Sequence, residues 1–335
     1  MRVLYVGMAQ DYGDPTRGPS FEEMNFRSAL EGMGHDVVAF DFMAREAAVG
    51  RAAMNAELAA VEAEIEPDVV FFILFKDEIA PETIRGMRAP TVNWFADDHW
   101  RFDDFTTIYA PAFDWSVTTD HEALPKYAAL GIDTVVLSQW ACNRYAYSKT
   151  TDELRHDVTF VGQPHGDRLE VVERLQAVDI AVECWGHGWP LGKLDHAGMV
   201  DVFSSSRLNL NLANSSTNHW TLRMRVGAIV RLRKPWDAPR RSQIKGRTFE
   251  VPGSGGFLLT DRVPYLEEYF DIGREISTFE STDDLVEKIR HWLAHPGERA
   301  AVADAGYRRV LSEHTYDHRF AAIFERMGLG AARPA

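Results

Sequence analysis

The sequence has few cysteines and no long hydrophobic run. Its 335 residues include two cysteines, Cys142 and Cys184, which do not have C-x-x-C spacing. This argues against a disulfide framework and against a thiolate metal site. The longest apolar run, Val69 to Phe75, is far too short to span a bilayer, and no basic and apolar leader opens the sequence. We therefore expect a globular cytoplasmic protein.

An excess of positive charge is also lacking. The formal net charge of −14 argues against nucleic acid as a partner, because neutralising its phosphates requires a broad basic surface. One basic segment stands out and can focus an anionic ligand. A solvated basic loop is the alternative, and Trp220 and Trp236 keep a weak membrane-surface contact open as a third interpretation. The cations of this segment are Arg223, Arg225, Arg231, Arg233, Lys234, Arg240, Arg241, Lys245 and Arg247.

Motifs that mark common nucleotide-binding enzymes are missing too. No G-x-G-x-x-G follows the first predicted strand of either half, which argues against nicotinamide and flavin cofactors. The sequence has no G-x-x-x-x-G-K-[ST] and no G-x-S-x-G, which disfavours a P-loop NTPase and an α/β-hydrolase. We expect no cofactor.

Strand and helix patterns alternate along the chain and predict an α/β protein. In the first half, Asp68–Phe75 is apolar on both faces, as expected of a central parallel strand. The apolar pattern lapses between Gln139 and Arg155, where we place a linker, and Asp157–Gly162 then restarts the alternation. We predict two Rossmann-like, doubly wound parallel-sheet domains facing a cleft, at 1–150 and 151–315. A helix and tail at 316–335 are candidates to pack back on the first domain.

The segment Ser242–Asp261, SQIKGRTFEVPGSGGFLLTD, concentrates the residues of an anion site. Lys245 and Arg247 flank Gly246 just before a predicted short helix, where backbone N–H groups favour a diphosphate. Glu250, one turn into that helix, can accept hydrogen bonds from the two hydroxyls of a ribose. An ordinary helix, glycine turn and strand with solvated charges is the alternative.

Pro252 and the residues after it predict the backbone of this segment. Proline fits only the first turn of such a helix, because deeper in the helix it removes a hydrogen bond and clashes. Ser254, Gly255 and Gly256 follow and predict a donor-binding loop that leads into a buried strand at Phe257–Thr260.

Two other loops of the second half provide candidate donor contacts. Gly162 ends the first strand, and the following loop leads to Arg168, a candidate phosphate ligand; an exposed arginine at a helix start is the alternative. His187 lies in a Gly-His-Gly-Trp turn, where an exposed or structural histidine is the alternative. Asn209, Asn211 and Asn214 alternate with apolar residues and are candidates to reach the cleft, with edge or turn positions as the alternative.

Five segments carry a resemblance to a known family. They are RVLYVG, VNWFADD, DVTFVG, IKGRTFEVPGSGGFLLTD and GYRRVLSEHTYDHR. Together they resemble the bacterial glycosyltransferases related to the spore-maturation protein CgeB, over nearly the whole chain. The resemblance implies a GT-B fold, a nucleotide diphosphate sugar held by the C-terminal domain, an acceptor held by the N-terminal domain, and no metal. It also implies that Glu250 binds the ribose and that Lys245 and Arg247 approach the diphosphate.

One feature of related enzymes is absent. Many retaining GT-B enzymes carry a pair of glutamates with seven residues between them, but the position eight before Glu250 is Ser242. The sequence therefore leaves both retaining and inverting outcomes open.

Acidic residues after predicted strands of the first domain are candidates for the catalytic base. Asp97, Asp98 and His99 follow the strand Thr91–Phe95, where open α/β sheets place ligands, and Asp11 follows the first strand. An inverting reaction needs such a base, whereas a retaining front-side reaction can use the departing phosphate oxygen. Capping of the next helix by Asp97 and Asp98 is the alternative.

The sequence thus predicts a metal-independent glycosyltransferase. Its expected partners are a nucleotide-sugar donor and an acceptor that is a small molecule, a glycan or a protein. A nucleotide-sugar epimerase or phosphorylase on the same fold is one alternative. A non-catalytic module that binds sugar nucleotides is the other.

Overall fold

The computed structural model describes residues 1–213 and 243–330, and the chain divides into two compact units. Unit 1 comprises Met1–Ala146 and the chain from Thr315 onward, and unit 2 comprises Tyr147–His314. Part of the predicted basic segment, from Arg223 to Arg241, lies outside the described residues. So do Asn214, Trp220, Trp236, Ser242 and the end of the predicted C-terminal tail.

Unit 1 contains a six-stranded parallel sheet. Its strands are β1 (Arg2–Gly7), β2 (Asp36–Asp41), β3 (Val69–Phe72), β4 (Thr91–Phe95), β5 (Trp115–Thr118) and β6 (Val135–Leu137). They lie in the order β2-β1-β3-β4-β5-β6, and every neighbouring pair is parallel. Because β2 and β3 flank β1 on opposite sides, the ligand-binding crevice of this sheet is expected at the ends of β1 and β3.

Unit 2 contains a five-stranded parallel sheet. Its strands are β7 (His156–Val161), β8 (Glu183–Trp185), β9 (Ser206–Asn211), β10 (Leu258–Asp261) and β11 (Ser277–Phe279). They lie in the order β11-β10-β9-β7-β8, again with parallel neighbours. The strand order reverses between β7 and β9, which places the expected crevice at the carboxyl ends of those two strands. Two parallel Rossmann-like sheets confirm the predicted fold class.

Helices connect the strands in both units. In the described residues they are α1 (Ser28–Gly32), α2 (Phe42–Val49), α3 (Arg51–Ile65), α4 (Pro81–Arg85), α5 (Asp98–Arg101), α6 (Thr107–Tyr109), α7 (Leu124–Ala129), α8 (Arg168–Gln176), α9 (His196–Ser205), α10 (Arg247–Gly253), α11 (Thr282–Ala294), α12 (Pro296–Glu313) and α13 (Tyr316–Arg326). Shorter 3₁₀ turns lie at Asp11–Gly13, Pro15–Arg17, Ala110–Ala112, His121–Ala123 and Leu266–Glu268, and π turns at Glu23–Arg27 and Phe102–Thr106.

The second and third helices divide the segment 45–65, whose alanine-rich and charged sequence predicts a single helix. Gly50 has a φ of 80°, in the left-handed region that favours glycine, and it separates α2 from α3. The carboxylate of Asp41 starts α2, because it accepts hydrogen bonds from the N–H groups of Met43 and Ala44 at 3.1 Å each.

The last helix, α13, packs in the core of unit 1. The rings of Phe320 and Phe71 meet edge to face with their centroids 5.5 Å apart. Arg319 donates to the carbonyl of Gln139 at 3.0 Å. The apolar face of α13 has helical spacing, and all of its residues are buried: Tyr316, Phe320, Ile323 and Phe324.

The helix that carries Glu250 differs from its prediction. Because α10 runs from Arg247 to Gly253, Pro252 lies in its last turn, so the first-turn placement was wrong. A proline this close to the end removes only one backbone donor, and the helix stops at the next residue. The N–H groups of Gly255 and Gly256 donate to the carbonyls of Pro252 and Val251 at 2.8 and 3.0 Å, which closes the helix end.

Helix α12 approaches its neighbours closely at Gly306. A Cβ atom there would lie 2.3 Å from the carbonyl oxygen of Glu275 and 3.5 Å from Cβ of Pro252. A side chain at this position would therefore push α12 away from the segment before β11.

We expect Gly306→Ala to destabilise the protein, although alanine normally stabilises a helix interior by about 1 kcal/mol relative to glycine. The clash with Glu275 should reverse that sign and lower the free energy of unfolding by about 1–3 kcal/mol, as overpacking does. Thermal and urea unfolding measure the change. Gly297→Ala, in the first turn of the same helix, is the control because an added Cβ meets nothing within 4 Å. Equal stability of the two variants would contradict the close approach.

Candidate functional site

The guanidinium of Arg247 lies at the crevice of unit 2. Its Nη1 donates to the carbonyl of Val161, the last residue of β7, at 2.6 Å. Its Nε donates to Oδ1 of Asn211, the last residue of β9, at 3.3 Å. The side chain therefore joins the carboxyl ends of the two strands that flank the point where the strand order reverses.

Arg168, the first residue of α8, crosses the same crevice. Its Nε donates to the carbonyl of Leu212 just after β9 at 3.0 Å, and its Nη1 donates to the carbonyl of Gln163 just after β7 at 2.9 Å. The residue is only 5% exposed. The alternative of an exposed helix-start arginine is therefore wrong.

The two arginines give the crevice a positive charge. Burial lowers the pKa of Arg168, and the neighbouring Arg247 lowers it further. Burial also lowers the pKa of Arg247, while the negative charge of Glu250 opposes that shift. Both side chains stay positive at neutral pH because a guanidinium begins from a very high pKa. Among the described residues neither forms an ion pair with a carboxylate, so an anionic ligand would stabilise them.

The carboxyl group of Glu250 lies one helical turn after Arg247 and is only 4% exposed. The side chain of Tyr147 forms a hydrogen bond with it, while Oε1 has no hydrogen-bond partner among the described residues. Burial raises the pKa of Glu250 to about 7, and Arg247 and Tyr147 oppose the rise. Because buried polar atoms nearly always have a partner, Oε1 is suited to accept a ligand hydroxyl.

Asn211 holds Arg247 in place from inside the sheet. Its Nδ2 donates to the hydroxyls of Thr260 and Thr248 at 3.0 and 3.3 Å, which directs its Oδ1 towards Arg247. Asn209 is equally buried in β9 and donates to the carbonyl of Phe203 at 3.0 Å. Both lie in a central strand, so their interpretation as edge or turn residues was wrong.

The loops after β7 and β8 pack together beside Arg247. An added Cβ at Gly162 would lie 2.6 Å from Nη1 of Arg247, and one at Gly186 would lie 2.3 Å from the carbonyl oxygen of Gly162. The indole of Trp189 donates to that same carbonyl at 2.7 Å. Gly162 therefore makes room for the guanidinium. His187, in the turn after β8, is exposed.

The turn Ser254–Gly256 fixes the end of α10. The hydroxyl of Ser254 donates to the carbonyl of Glu250 at 2.9 Å, and the hydroxyl of Ser204 donates to the carbonyl of Ser254 at 2.8 Å. An added Cβ at Gly256 would lie 2.4 Å from the carbonyl oxygen of Phe203, whereas Gly255 has a φ of 75° and packs on the side chain of Lys149. These contacts position Glu250. Lys245 lies half-buried two residues before Arg247.

Asp98 of unit 1 is enclosed by hydroxyl donors. It is 1% exposed, Oδ1 accepts from Thr106 at 2.5 Å, and Oδ2 accepts from Tyr127 at 2.9 Å. The Thr118 side chain is a third hydrogen-bond partner, while burial raises the pKa of Asp98. Its oxygens are thus occupied by the protein. No side chain caps α5, so the capping role proposed for Asp97 and Asp98 was wrong.

Two other candidate acids, Asp11 and Asp97, lie near Glu22, which the sequence analysis did not single out. Asp11 forms an ion pair with Arg17 at 2.7 Å. Burial raises the pKa of Glu22, and the negative charges of Asp11 and Asp97 raise it further. Glu22 lies at the start of the helical segment that follows β1 and its two 3₁₀ turns, and this position could have indicated it, because ligands of open sheets bind near the carboxyl ends of the strands. His99 follows in α5 and is half-buried.

Within residues 1–213 and 243–330, no helix combines the length and hydrophobicity needed to cross a membrane. The same ranges contain no group of three His, Cys, Asp or Glu side chains placed to hold a metal ion.

We expect Asp98→Ala to lower the free energy of unfolding by about 2–4 kcal/mol, because it leaves the buried hydroxyls of Thr106 and Tyr127 without an acceptor. Asp97→Ala, at the neighbouring half-buried position, should change it by about 0.5 kcal/mol or less. Thermal and urea unfolding of both variants provide the comparison. Two equally stable variants would show that Asp98 does not anchor this network.

Glu250 should make the unliganded protein less stable as the pH rises. Its pKa in the folded protein is about 7, above the ordinary 4.5, so the folded state holds the proton more tightly than the unfolded state. The resulting stabilisation is complete below a pH of about 4.5 and is lost as the pH rises through about 7. Relative to Glu250→Gln, which lacks this titration, the free energy of unfolding of wild type should fall by up to about 3 kcal/mol over that pH range. Urea unfolding at a series of pH values measures the difference. If the stabilities of wild type and Glu250→Gln depended on pH in the same way, the raised pKa of Glu250 would be contradicted.

Sequence comparison identifies relatives of this chain. Residues 168–325 match the family described as Glycosyl transferase-like. Spore protein CgeB of Bacillus subtilis (strain 168) is 19% identical over 250 residues, which cover 70% of this chain and 74% of that protein. The family match includes Arg168, Arg247 and Glu250.

Solved structures share the fold over nearly the whole chain. A glycosyltransferase from Rickettsia africae ESF-5 has a TM-score of 0.64 and 10% identity, covering 97% of this chain and 98% of its own. Anabaena Alr3699/HepE in complex with UDP-glucose has a TM-score of 0.62 and 10% identity, covering 98% of this chain and 99% of its own. At such low identity these structures establish the fold. The chain therefore has a GT-B-like fold, and it is similar to glycosyltransferases over residues 168–325.

Proposed function

We propose that the protein transfers a sugar from a nucleoside diphosphate sugar to an acceptor. In this proposal the diphosphate binds at Arg168 and Arg247 in the crevice of unit 2, and the ribose hydroxyls donate to Glu250. The observation that carries the proposal is Oε1 of Glu250, which is buried beside Arg247 and has no hydrogen-bond partner among the described residues.

The arginines suit the leaving group of this reaction. Glycosyl transfer breaks the bond between the anomeric carbon and a diphosphate oxygen, so negative charge grows on the departing phosphate. A guanidinium stabilises that charge through paired N–H donors, and its existing hydrogen bonds to backbone carbonyls fix its orientation. We propose that Arg168 and Arg247 do this without a metal ion, and that Lys245 approaches the same phosphates.

The loops around the arginines are proposed to hold the rest of the donor. Gly162 and His187 lie in the loops after β7 and β8, next to the crevice, whereas the turn Ser254–Gly256 lies at the opposite end of α10 from Arg247 and contributes by holding that helix. We take a UDP-sugar as the first donor to test, because HepE, which shares this fold, was solved with UDP-glucose.

The acceptor is proposed to bind to unit 1. Asp97 and Glu22 are the candidate bases that would deprotonate the acceptor, and Asp11 and His99 are further candidates. All four residues follow strands of the parallel sheet, where ligands are expected to bind. The raised pKa of Glu22 brings it nearer to neutral pH, where a general base is most effective. Asp98 is a poor base because its oxygens already accept hydrogen bonds. An inverting reaction uses such a base, whereas a retaining front-side reaction uses the departing phosphate oxygen.

Calorimetric titration tests the donor site. UDP should bind without added metal, and Glu250→Ala should weaken binding about 10- to 100-fold, as expected from losing hydrogen bonds to a charged group. Arg247→Ala and Arg168→Ala should lower turnover of a UDP-sugar about 100- to 1000-fold. Arg174→Ala is the matched control, because this arginine lies on α8 but is exposed and paired with Asp283. Wild-type binding and turnover in the Glu250 and Arg247 variants would show that the donor binds elsewhere.

Product analysis distinguishes transfer from the alternatives. A transferase should release UDP and form a glycosylated product only when an acceptor is added, apart from slow hydrolysis. An epimerase should convert the sugar without an acceptor, and a phosphorylase should require inorganic phosphate. Nucleotide binding without turnover under all of these conditions would indicate a binding module instead.

A further inference from the structure

Unit 2 contains a second cavity at the opposite end of its sheet from Arg247. Its volume is about 310 Å³, within the range of small-molecule sites. Arg207, near the start of β9, and Phe257, just before β10, line it. Because Arg247 contacts the last residues of β7 and β9, the length of the sheet separates the cavity from that crevice. Residues of α12 form another wall, among them Arg299, Ala303 and Tyr307.

Arg299 is a buried cation in the wall of this cavity. The residue is 5% exposed, and its Nη1 donates to the carbonyl of Trp292 at 2.7 Å. In the part of the chain that the structure describes, no carboxylate forms an ion pair with it. Burial lowers the pKa of Arg299 and the positive charge of Arg207 lowers it further, while the negative charge of Asp157 opposes the shift. Because Asp157 is paired with Arg207 rather than with Arg299, an anion in the cavity would further stabilise the buried guanidinium of Arg299.

The other charged side chains in the cavity wall each have a partner of opposite sign. Their charges therefore cancel in pairs, which leaves one positive charge, that of Arg299. A single carboxylate matches this charge, and its two oxygens match the fork of N–H donors on a guanidinium. The pairs are Arg207 with Asp157 at 2.8 Å, Lys149 with Asp152, and Asp304 with Arg308.

The remaining wall is largely apolar. Phe257 is 2% exposed, and Leu154, Pro296, Ala300 and Ala303 provide further carbon surface. Apolar lining with a few placed polar groups is typical of sites that bind small organic molecules. We propose that this cavity binds a small monocarboxylate, with the carboxylate on Arg299 and the apolar body against Phe257 and Ala303.

Titration with monocarboxylates tests this site on the full chain without nucleotide. Hexanoate and benzoate are the probes, and hexanamide and benzamide are their uncharged counterparts. Ligand-observed NMR and calorimetry should give saturable binding of the carboxylates with a Kd of about 1 mM or tighter. The amides should bind at least about tenfold more weakly than the carboxylates. Absence of saturable carboxylate binding, or equal binding of the amides, would overturn the proposal.

Two variants locate the binding. Arg299→Gln removes the charge and should weaken carboxylate binding about tenfold or more. Ala303→Leu fills the cavity, leaves the charge in place and should have the same effect, which keeps the test decisive if Arg299→Gln does not fold. Arg274→Gln, at an exposed arginine near Asp271, should bind like wild type. Wild-type binding by folded Ala303→Leu would overturn the proposal.

Discussion

The contact of Arg247 with the ends of β7 and β9 holds the proposed donor site together. One guanidinium joins a backbone carbonyl of one strand to an amide side chain of the other, across the place where the strand order reverses. Gly162 must lack a side chain for this contact to form. The amide of Asn211 must also be oriented by its hydrogen bonds to the hydroxyls of two threonines. Because Arg247 also begins α10, the same contact places Glu250 one turn further along.

Burial gives this site its electrostatic character. Two guanidiniums and one carboxyl group lie in a small region, and burial is the largest cause of the pKa shift of each. Such shifts are unfavourable for the unliganded fold and are common where a ligand later supplies the missing partners. A diphosphate would add negative charge beside the arginines, and a ribose would add hydroxyl donors beside Glu250. Ligand binding and stability are therefore linked in unit 2.

The number of hydrogen-bond partners distinguishes Asp98, a structural acid, from Glu250, the acid proposed to bind the donor. Asp98 and Glu250 are both buried carboxyl groups with a raised pKa. Asp98 is surrounded by three hydroxyl partners and anchors the segment after β4, whereas Glu250 keeps one oxygen without a partner among the described residues. The same reasoning applies to Arg299, a buried cation that donates to the carbonyl of Trp292 and forms no ion pair with a carboxylate among the described residues.

The sequence by itself determined the fold class and most of the strands, and it provided the segments of the proposed donor site. The strand β4 has the bounds Thr91–Phe95 that its apolar run predicts, because hydrophobic patterning is local. Only the tertiary structure decided which of these residues are buried and which have all of their hydrogen-bond partners within the protein. Tyr127 reaches Asp98 from 29 residues away, and Arg247 reaches Val161 from 86 residues away. The role of Glu22, the place of Pro252 in α10 and the burial of Arg168 likewise depend on neighbours distant in sequence, which no local pattern encodes.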